Sequence, residues 1–394
     1  MKKYLVLLLL CMLMVSMVLS GCDPFFPPNV TPTPTGGTNG SLTWTNQIKM
    51  PGANWVRDAY IFSANGNWYM TGTRRIMSVS EKDDPEGAWP GYFLWKSTDN
   101  MNNWTEVGWL LKNSAKEAED DLKWAHEKLW APEIKQNPNN GKFYMTYSAG
   151  VRQYNDDGTL QIDSKGVAVT KAALGLAVAD NPEGPWKNLT PDKPLTDNND
   201  GSLFFDNDGK VYVWQTGWTY FQIDLDKLEK GESQEIVKKD KKAELAGATG
   251  SWCDGAKINE GSHMIKIKDT YYLFWSCNAW GYFVGYATAK NIDGPYTANS
   301  NNPIWGAANA ENEVRLQTHP IVKEDPKNPF DEVGHGTPFI GPDGKWWIVG
   351  HGRSIQRPDP TYNQPLPCMD RLNFNEATGE FTGRFTWTEQ TVTW

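Results

Sequence analysis

The sequence of 394 residues is short of cysteine, of basic charge and of long apolar runs, and each shortage closes off a class of protein. Of its 5 cysteines, Cys11 lies in the opening apolar segment, and the spacings among Cys253, Cys277 and Cys368 read neither as a zinc site nor as a disulfide framework. Cys253 and Cys277 are the pair to test for a bridge; three buried or partly buried thiols is the competing reading. Lysine and arginine number 38 against 47 aspartates and glutamates, giving a formal charge of −9. That balance does not suit a ligand bound through its phosphates, so the sequence predicts no nucleic acid partner. No apolar run reaches the roughly 20 residues that a membrane-spanning helix needs. Helical patterning is also scarce: Lys112–Trp130, where Ser114 and Glu117 form a capping box, is the one stretch that predicts a helix.

The longest apolar run, Tyr4 to Val18 behind Lys2 and Lys3, has the build of a secretory signal. It ends in Leu19, Ser20, Gly21 and Cys22, which resembles a bacterial lipobox. That resemblance implies a signal over residues 1–21, lipid on Cys22, and a cell-envelope protein anchored to a membrane, facing the periplasm or the cell surface. Residues 22–41, rich in Pro, Thr, Gly and Asn without any period, predict a semi-extended tether. No such linker recurs, so residues 42–394 are read as one domain.

What the sequence has in abundance is aromatic side chains: 20 Trp, 15 Tyr and 15 Phe. With 39% hydrophobic and 22% charged residues it can bury a core, and so many rings predict aromatics at surfaces and clefts as well as inside. They recur in a repeated plan. The runs opening at Arg57, Ala131, Asp200, Glu260 and His335 each place a polar residue before a short strand. A tight turn follows (NGN, NNGK, DNDGK, KDT, PDGK), and then an aromatic-rich return strand. Each is a β-hairpin by its turn chemistry and its strand formers. A third strand follows several of them, at Gly91, Gly175 and Val284. Five such repeats over so long a domain predict an all-β, five-bladed propeller, with a β-sandwich as the lesser alternative. In a propeller the inner strands line a central channel, so Asp58, Glu133, Asp200, Glu260 and His335 converge there. The insertions at 151–166 and 230–257 are expected to shape a binding face.

Carboxyl groups converging on a channel suit glycoside hydrolysis, in which one carboxylic acid protonates the leaving oxygen and a carboxylate activates water on the opposite face of the sugar. A third carboxylate nearby keeps the acid protonated. From Trp55 to Gly352 the sequence resembles glycoside hydrolase family 43. The resemblance rests on VRDAYIF, the WAPE run, DGSLFFDNDG, NEGSHMIKI and GHGTPF. It implies an inverting enzyme acting on arabinofuranosyl or xylosyl linkages of plant-type poly- or oligosaccharides, with galactosyl units a further candidate. It implies Asp58 as the general base, Glu260 as the general acid, and Asp200 as the residue tuning that acid, with no cofactor required for the chemistry. His335 matches a histidine that faces a calcium ion in many members, and Glu133 matches a residue lining the substrate site. The family usually has proline after both aspartates and after the Glu-Gly; here Ala59, Gly201 and Ser262 stand instead. Trp55, Trp130, Trp252 and Trp280 are candidate sugar platforms and His263 a candidate substrate contact, whereas Trp68, Trp346 and Trp347 read as packing between blades. A glycan-binding propeller without turnover is the alternative; its discriminant is the intact pair Asp58 and Glu260.

Overall fold

The computed structural model describes residues 39–80, 82–113, 122–125, 127–246, 252–253, 259–278, 281–307, 328–354 and 364–394. Strand β1 (Ser41–Trp44) opens the fold. Blade one is the antiparallel sheet β2 (Val56–Ala64), β3 (Asn67–Arg74), β4 (Gly91–Ser97) and β5 (Thr105–Lys112). Blade two is β6 (Glu127–Gln136), β7 (Phe143–Arg152), β8 (Thr170–Ala179) and β9 (Lys187–Asn188). Blade three is β10 (Ser202–Phe205), β11 (Val211–Gln215), β12 (Thr219–Ile223) and β13 (Lys239–Asp240). In blade four, β14 (Asn259–Ile267), β15 (Thr270–Cys277) and β16 (Tyr282–Ala289) are followed by β17 (Thr297–Ala298) and β18 (Trp305–Ala307), both paired to β16. Blade five is β19 (Phe330–Ile340), β20 (Trp346–Ser354) and β21 (Leu366–Arg371), which β18 joins through Ala307 and Val333. After the short ribbon β22 (Asn373–Asn375) and β23 (Glu380–Thr382), strand β24 (Gln390–Thr393) returns to pair with β1.

Five hydrophobic clusters hold these sheets together, and each lies between two neighbouring blades. Tyr69 with Met145 joins blades one and two, Leu174 with Val213 joins two and three, and Trp214 with Trp275 joins three and four. Phe274 with Ile348 joins four and five, and Trp68 with Trp347 joins five back to one, which closes the ring. The alternation of side chains along a strand explains how one strand serves two interfaces. Tyr69 faces blade two while its neighbours Trp68 and Met70 face blade five; Ile348 faces blade four while Trp347 and Val349 face blade one.

Most of the aromatics are taken up between blades, because both faces of a blade are interior, while Trp55, Trp130 and the exposed Tyr154 are among those that reach the surface. The largest fully buried side chains are all Trp or Tyr, among them Trp68, Trp95, Trp214, Trp275, Trp305 and Trp347. The helix expected over Lys112–Trp130 gives way at both ends to strand: Lys112 closes β5 and Glu127–Trp130 opens β6. The need of blade two for an inner strand outweighs local helix propensity there; residues 114–121 and 126 lie outside the described residues. Cys253 and Cys277 are bridged, with Cα atoms 5.7 Å apart, and Cys368 is buried elsewhere. Cys22 lies outside the described residues.

Candidate active site

Each blade places a residue in left-handed backbone within or just before its inner strand: Asp58 (φ 51°), Ala131 (43°), Asp200 (55°), Gly261 (61°) and His335 (52°), with Lys128 (56°) a second one in β6. In blades one, two, four and five this residue sits where the pairing register with the return strand shifts. These bulges turn the chain at the channel mouth and build a ring of side chains there. Two residues further along lies a second ring of Tyr60, Glu133, Ser202, His263 and Thr337.

The outer ring holds the reactive groups. His335 Nδ1 lies 3.2 Å from Asp58 Oδ1. Thr73 Oγ1 donates to Asp58 Oδ2 at 2.5 Å, and Thr216 Oγ1 donates to Asp200 Oδ2 at 2.9 Å. Tyr282 donates to Glu260 Oε1 at 2.5 Å and stands 3.4 Å from His335 Nδ1. Glu260 itself follows from strand geometry: it precedes the turn at Gly261 and pairs with Ser276 across the hairpin.

Protonation in this ring is divided. Burial, and then the charge of Asp200, push the Glu260 carboxyl up from 4.5 to about 7 against the opposing pull of His335. Burial also raises Asp200, with Asp58 adding to it. Asp58 goes the other way: burial would raise it, but the His335 charge and its hydrogen bond from Thr73 are among the influences that bring it below the usual carboxylate range. Burial would depress His335, yet Asp58, Asp200, Glu260 and Glu133 together hold it up at about 9, as a cation. At neutral pH the ring therefore holds one carboxylate firmly ionised and one carboxyl poised to give a proton.

The inner ring is a separate network. Glu133 is 7% exposed and its Oε2 lies 3.3 Å from His263 Nδ1, which is also 3.0 Å from Ser202 Oγ. Lys135 Nζ reaches the carbonyl of Leu203 at 2.5 Å, and burial lowers that ammonium to about 8. Glu133 and His263 thus lie one layer below the reactive ring. In blade two the outer position belongs to Ala131.

Trp55 and Trp130 are part-exposed at the mouth and stand edge-on to Trp89, at 6.1 and 6.4 Å. Trp252 is only 4% exposed and lies against Trp275 at 5.7 Å between blades three and four, so a sugar platform is not open to it. Trp280 lies outside the described residues. The fit of a calcium ion rests on His335, whose Nδ1 is turned to Asp58 and Tyr282. Among the described residues no three His, Cys, Asp or Glu side chains gather to hold a metal. That donor set does not match the oxygen-rich shell of calcium.

Sequence reasoning missed Tyr282, Thr73, Thr216 and the rim network in which Glu332 joins Arg57 (2.5 Å) to Arg353 (2.8 Å). It also missed His351, whose Nδ1 accepts from the Asp58 backbone N–H at 3.0 Å. Aligning the return strands, WYMTGT, FYMTYS, VYVWQT, YYLFWS and WWIVGH, would have exposed Thr73, Thr216 and His351, which close three of these runs together with Ser148 and Ser276.

Comparison with known proteins agrees with this geometry. Residues 54–378 match the family model of glycosyl hydrolases family 43. The chain is 28% identical over 277 residues to extracellular endo-α-(1→5)-L-arabinanase 2 of Bacillus subtilis (strain 168), covering 63% of this chain and 51% of that protein. It is 27% identical over 246 residues to a β-xylosidase of the same organism, covering 59% and 41%. The chain spans about half the length of such curated relatives. A thermostable family-43 glycoside hydrolase superposes with a TM-score of 0.58 at 23% identity, over 86% of this chain and 95% of that one. An endo-1,4-β-xylanase from Bacteroides thetaiotaomicron VPI-5482 gives 0.58 at 23%, over 86% and 97%. At such identities the structures speak for the fold alone, which is the five-bladed β-propeller. With the family model covering most of the sequence, the chain belongs to glycosyl hydrolases family 43.

Proposed function

We propose that this protein is a glycoside hydrolase that removes terminal arabinofuranosyl or xylosyl units from plant-type poly- or oligosaccharides with inversion at the anomeric carbon. The observation that carries the reading is the opposed protonation of two carboxyl groups in one ring, Glu260 raised to about 7 and Asp58 held below its usual range. Glu260 gives its proton to the departing glycosidic oxygen. Asp58 takes a proton from water as the water attacks the anomeric carbon from the opposite face. The charge of Asp200 beside the acid pushes the acid's pKa up and so favours its protonated form. Trp55 and Trp130 offer ring faces at the mouth for the sugar.

The family membership and the arabinanase and xylosidase names of the relatives support the sugar class. A propeller that merely bound glycans would have no use for this division of protonation. Attachment to a membrane through lipid on Cys22 belongs to the same proposal and is supported by the lipobox-like run. The test is a screen of nitrophenyl arabinofuranoside, xyloside and galactoside, then arabinan and xylan oligomers, with the first-formed anomer followed by proton NMR. Inversion and release of monosaccharide are expected. A product that retains configuration would falsify the assignment of Asp58 as the base, and release of oligosaccharides would show cleavage within the chain.

A further inference from the structure

Three of the left-handed residues at the channel mouth, Asp58, Ala131 and Asp200, donate their backbone N–H to a side chain at one fixed place in the second strand of the preceding blade. Thr73 Oγ1 accepts from Ala131 N at 2.7 Å, and Ser148 Oγ accepts from Asp200 N at 2.8 Å. Ser276 Oγ accepts at 3.4 Å from Gly336 N, one residue beyond His335. Thr73, Ser148, Ser276 and His351 hold equivalent places, paired across their hairpins with Arg57, Trp130, Glu260 and Gly334. Three of these four are hydroxyls, as is Thr216 at the same place in blade three, which donates to Asp200 Oδ2 instead. The exception is His351, and the N–H it receives is that of Asp58, at 3.0 Å.

His351 is 1% exposed, and its buried Nε2 has no hydrogen-bond partner among the described residues. A buried imidazole retained for packing ordinarily has both nitrogens satisfied, and an unmet donor is costly. The need that His351 meets is therefore the acceptor at Nδ1. Accepting there places its single proton on Nε2. It also leaves no proton to offer Asp58 Oδ1, 3.5 Å away, so His351 does not compete with Thr73 for the carboxylate.

We propose that His351 is a positioning residue for the base: by accepting the Asp58 backbone N–H at Nδ1, it holds Asp58 in left-handed backbone with its carboxylate directed at the attacking water. This rests on the acid/base reading above. The experiment compares the parent, Asp58→Asn, His351→Leu and His351→Asn on a nitrophenyl glycoside and on an oligosaccharide. Leucine approximates the size of histidine and accepts nothing; asparagine places an acceptor oxygen near the position of Nδ1. His351→Leu should lower kcat about 100-fold, the scale of a base displaced by about 1 Å, with KM little changed. The factor should be the same on both substrates, because water must be activated whatever the leaving group. His351→Asn should recover most of the loss.

Equal losses in the two His351 variants, or full activity in His351→Leu while Asp58→Asn is dead, overturn the role of His351 and leave the acid/base reading standing. A parent inactive on every glycoside overturns both. Long-range proton–nitrogen NMR of the parent gives a readout that needs neither turnover nor a folded variant: the Nε2–H tautomer of His351 is expected, and the Nδ1–H tautomer refutes the proposal.

Discussion

Replacing Asp200 by asparagine isolates the charge that tunes the acid. Asparagine tolerates the backbone at φ 55° as aspartate does. Its amide oxygen can still accept from Thr216, and its N–H still reaches Ser148. The substitution removes a charge, and with one acceptor oxygen in place of two it also strains the hydrogen bond that the carboxyl receives from the Gly261 backbone N–H. A like charge at roughly 6 Å, in an effective dielectric of about 20, is worth roughly 2.8 kcal/mol, about a hundredfold in a proton equilibrium. Glu260 climbs from 4.5 to about 7 with burial as the larger cause, so the share of Asp200 is nearer tenfold, or about one pH unit. The acid works protonated, so kcat/KM falls as pH rises through its pKa. The parent should lose activity above about 7, and Asp200→Asn about one pH unit lower. The acidic limb, where Asp58 takes up a proton below the usual carboxylate range, should not move upward, because Asp58 also loses a like-charged neighbour. The assay is kcat/KM on a nitrophenyl glycoside across pH, with circular dichroism to confirm folding. An alkaline limb that does not move, or moves upward, refutes the reasoning.

Glu260→Gln should abolish hydrolysis of oligosaccharides yet spare much of the rate on substrates with a very good leaving group, which need little protonation; equal losses on both, measured by kcat, would remove Glu260 from the acid role. Cys22→Ser should release active protein from the membrane fraction, and lipid labelling that persists in the variant would reject the anchor. The Cys253–Cys277 bridge spans a sequence separation of 24 with Glu260 inside the loop. Replacing both cysteines by alanine should cost about 3 kcal/mol of unfolding free energy by urea titration, and an unchanged midpoint would contradict that bridge.

The turns and aromatic strands were legible because a hairpin writes itself locally: reversal residues between two short runs of strand formers. Asp58, Asp200, Glu260 and His335 were legible for the same reason, since each stands beside its own inner strand. In blade two the same approach selected the wrong residue for the mouth. Glu133 is the visible acid of WAPE, but the backbone turns at Ala131, which carries no chemistry to notice, and Glu133 falls one layer deeper. Trp252 looked available because an isolated indole gives no sign of what will cover it; Trp275, on another strand, does so. Tyr282 meets Glu260 across two strands that do not pair with each other, and nothing near either residue announces the contact.

The left-handed residue at each blade mouth acts as a restriction on vocabulary. Aspartate, asparagine, histidine and glycine enter that backbone at low cost, whereas β-branched and bulky residues do not. The occupants at 58, 200, 261 and 335 are drawn from that short set. The choice between the two acids then has a backbone reason beside the chemical one. Aspartates stand on the kink itself, and the longer glutamate stands one place before it, where ordinary strand geometry allows any side chain and Gly261 absorbs the turn. Asp58→Glu would be penalised in backbone as well as in reach. Ala131 is the one mouth position whose occupant is neither suited to the kink nor reactive. It is the place where a new polar group, asparagine first, could join the ring while easing the backbone that carries it.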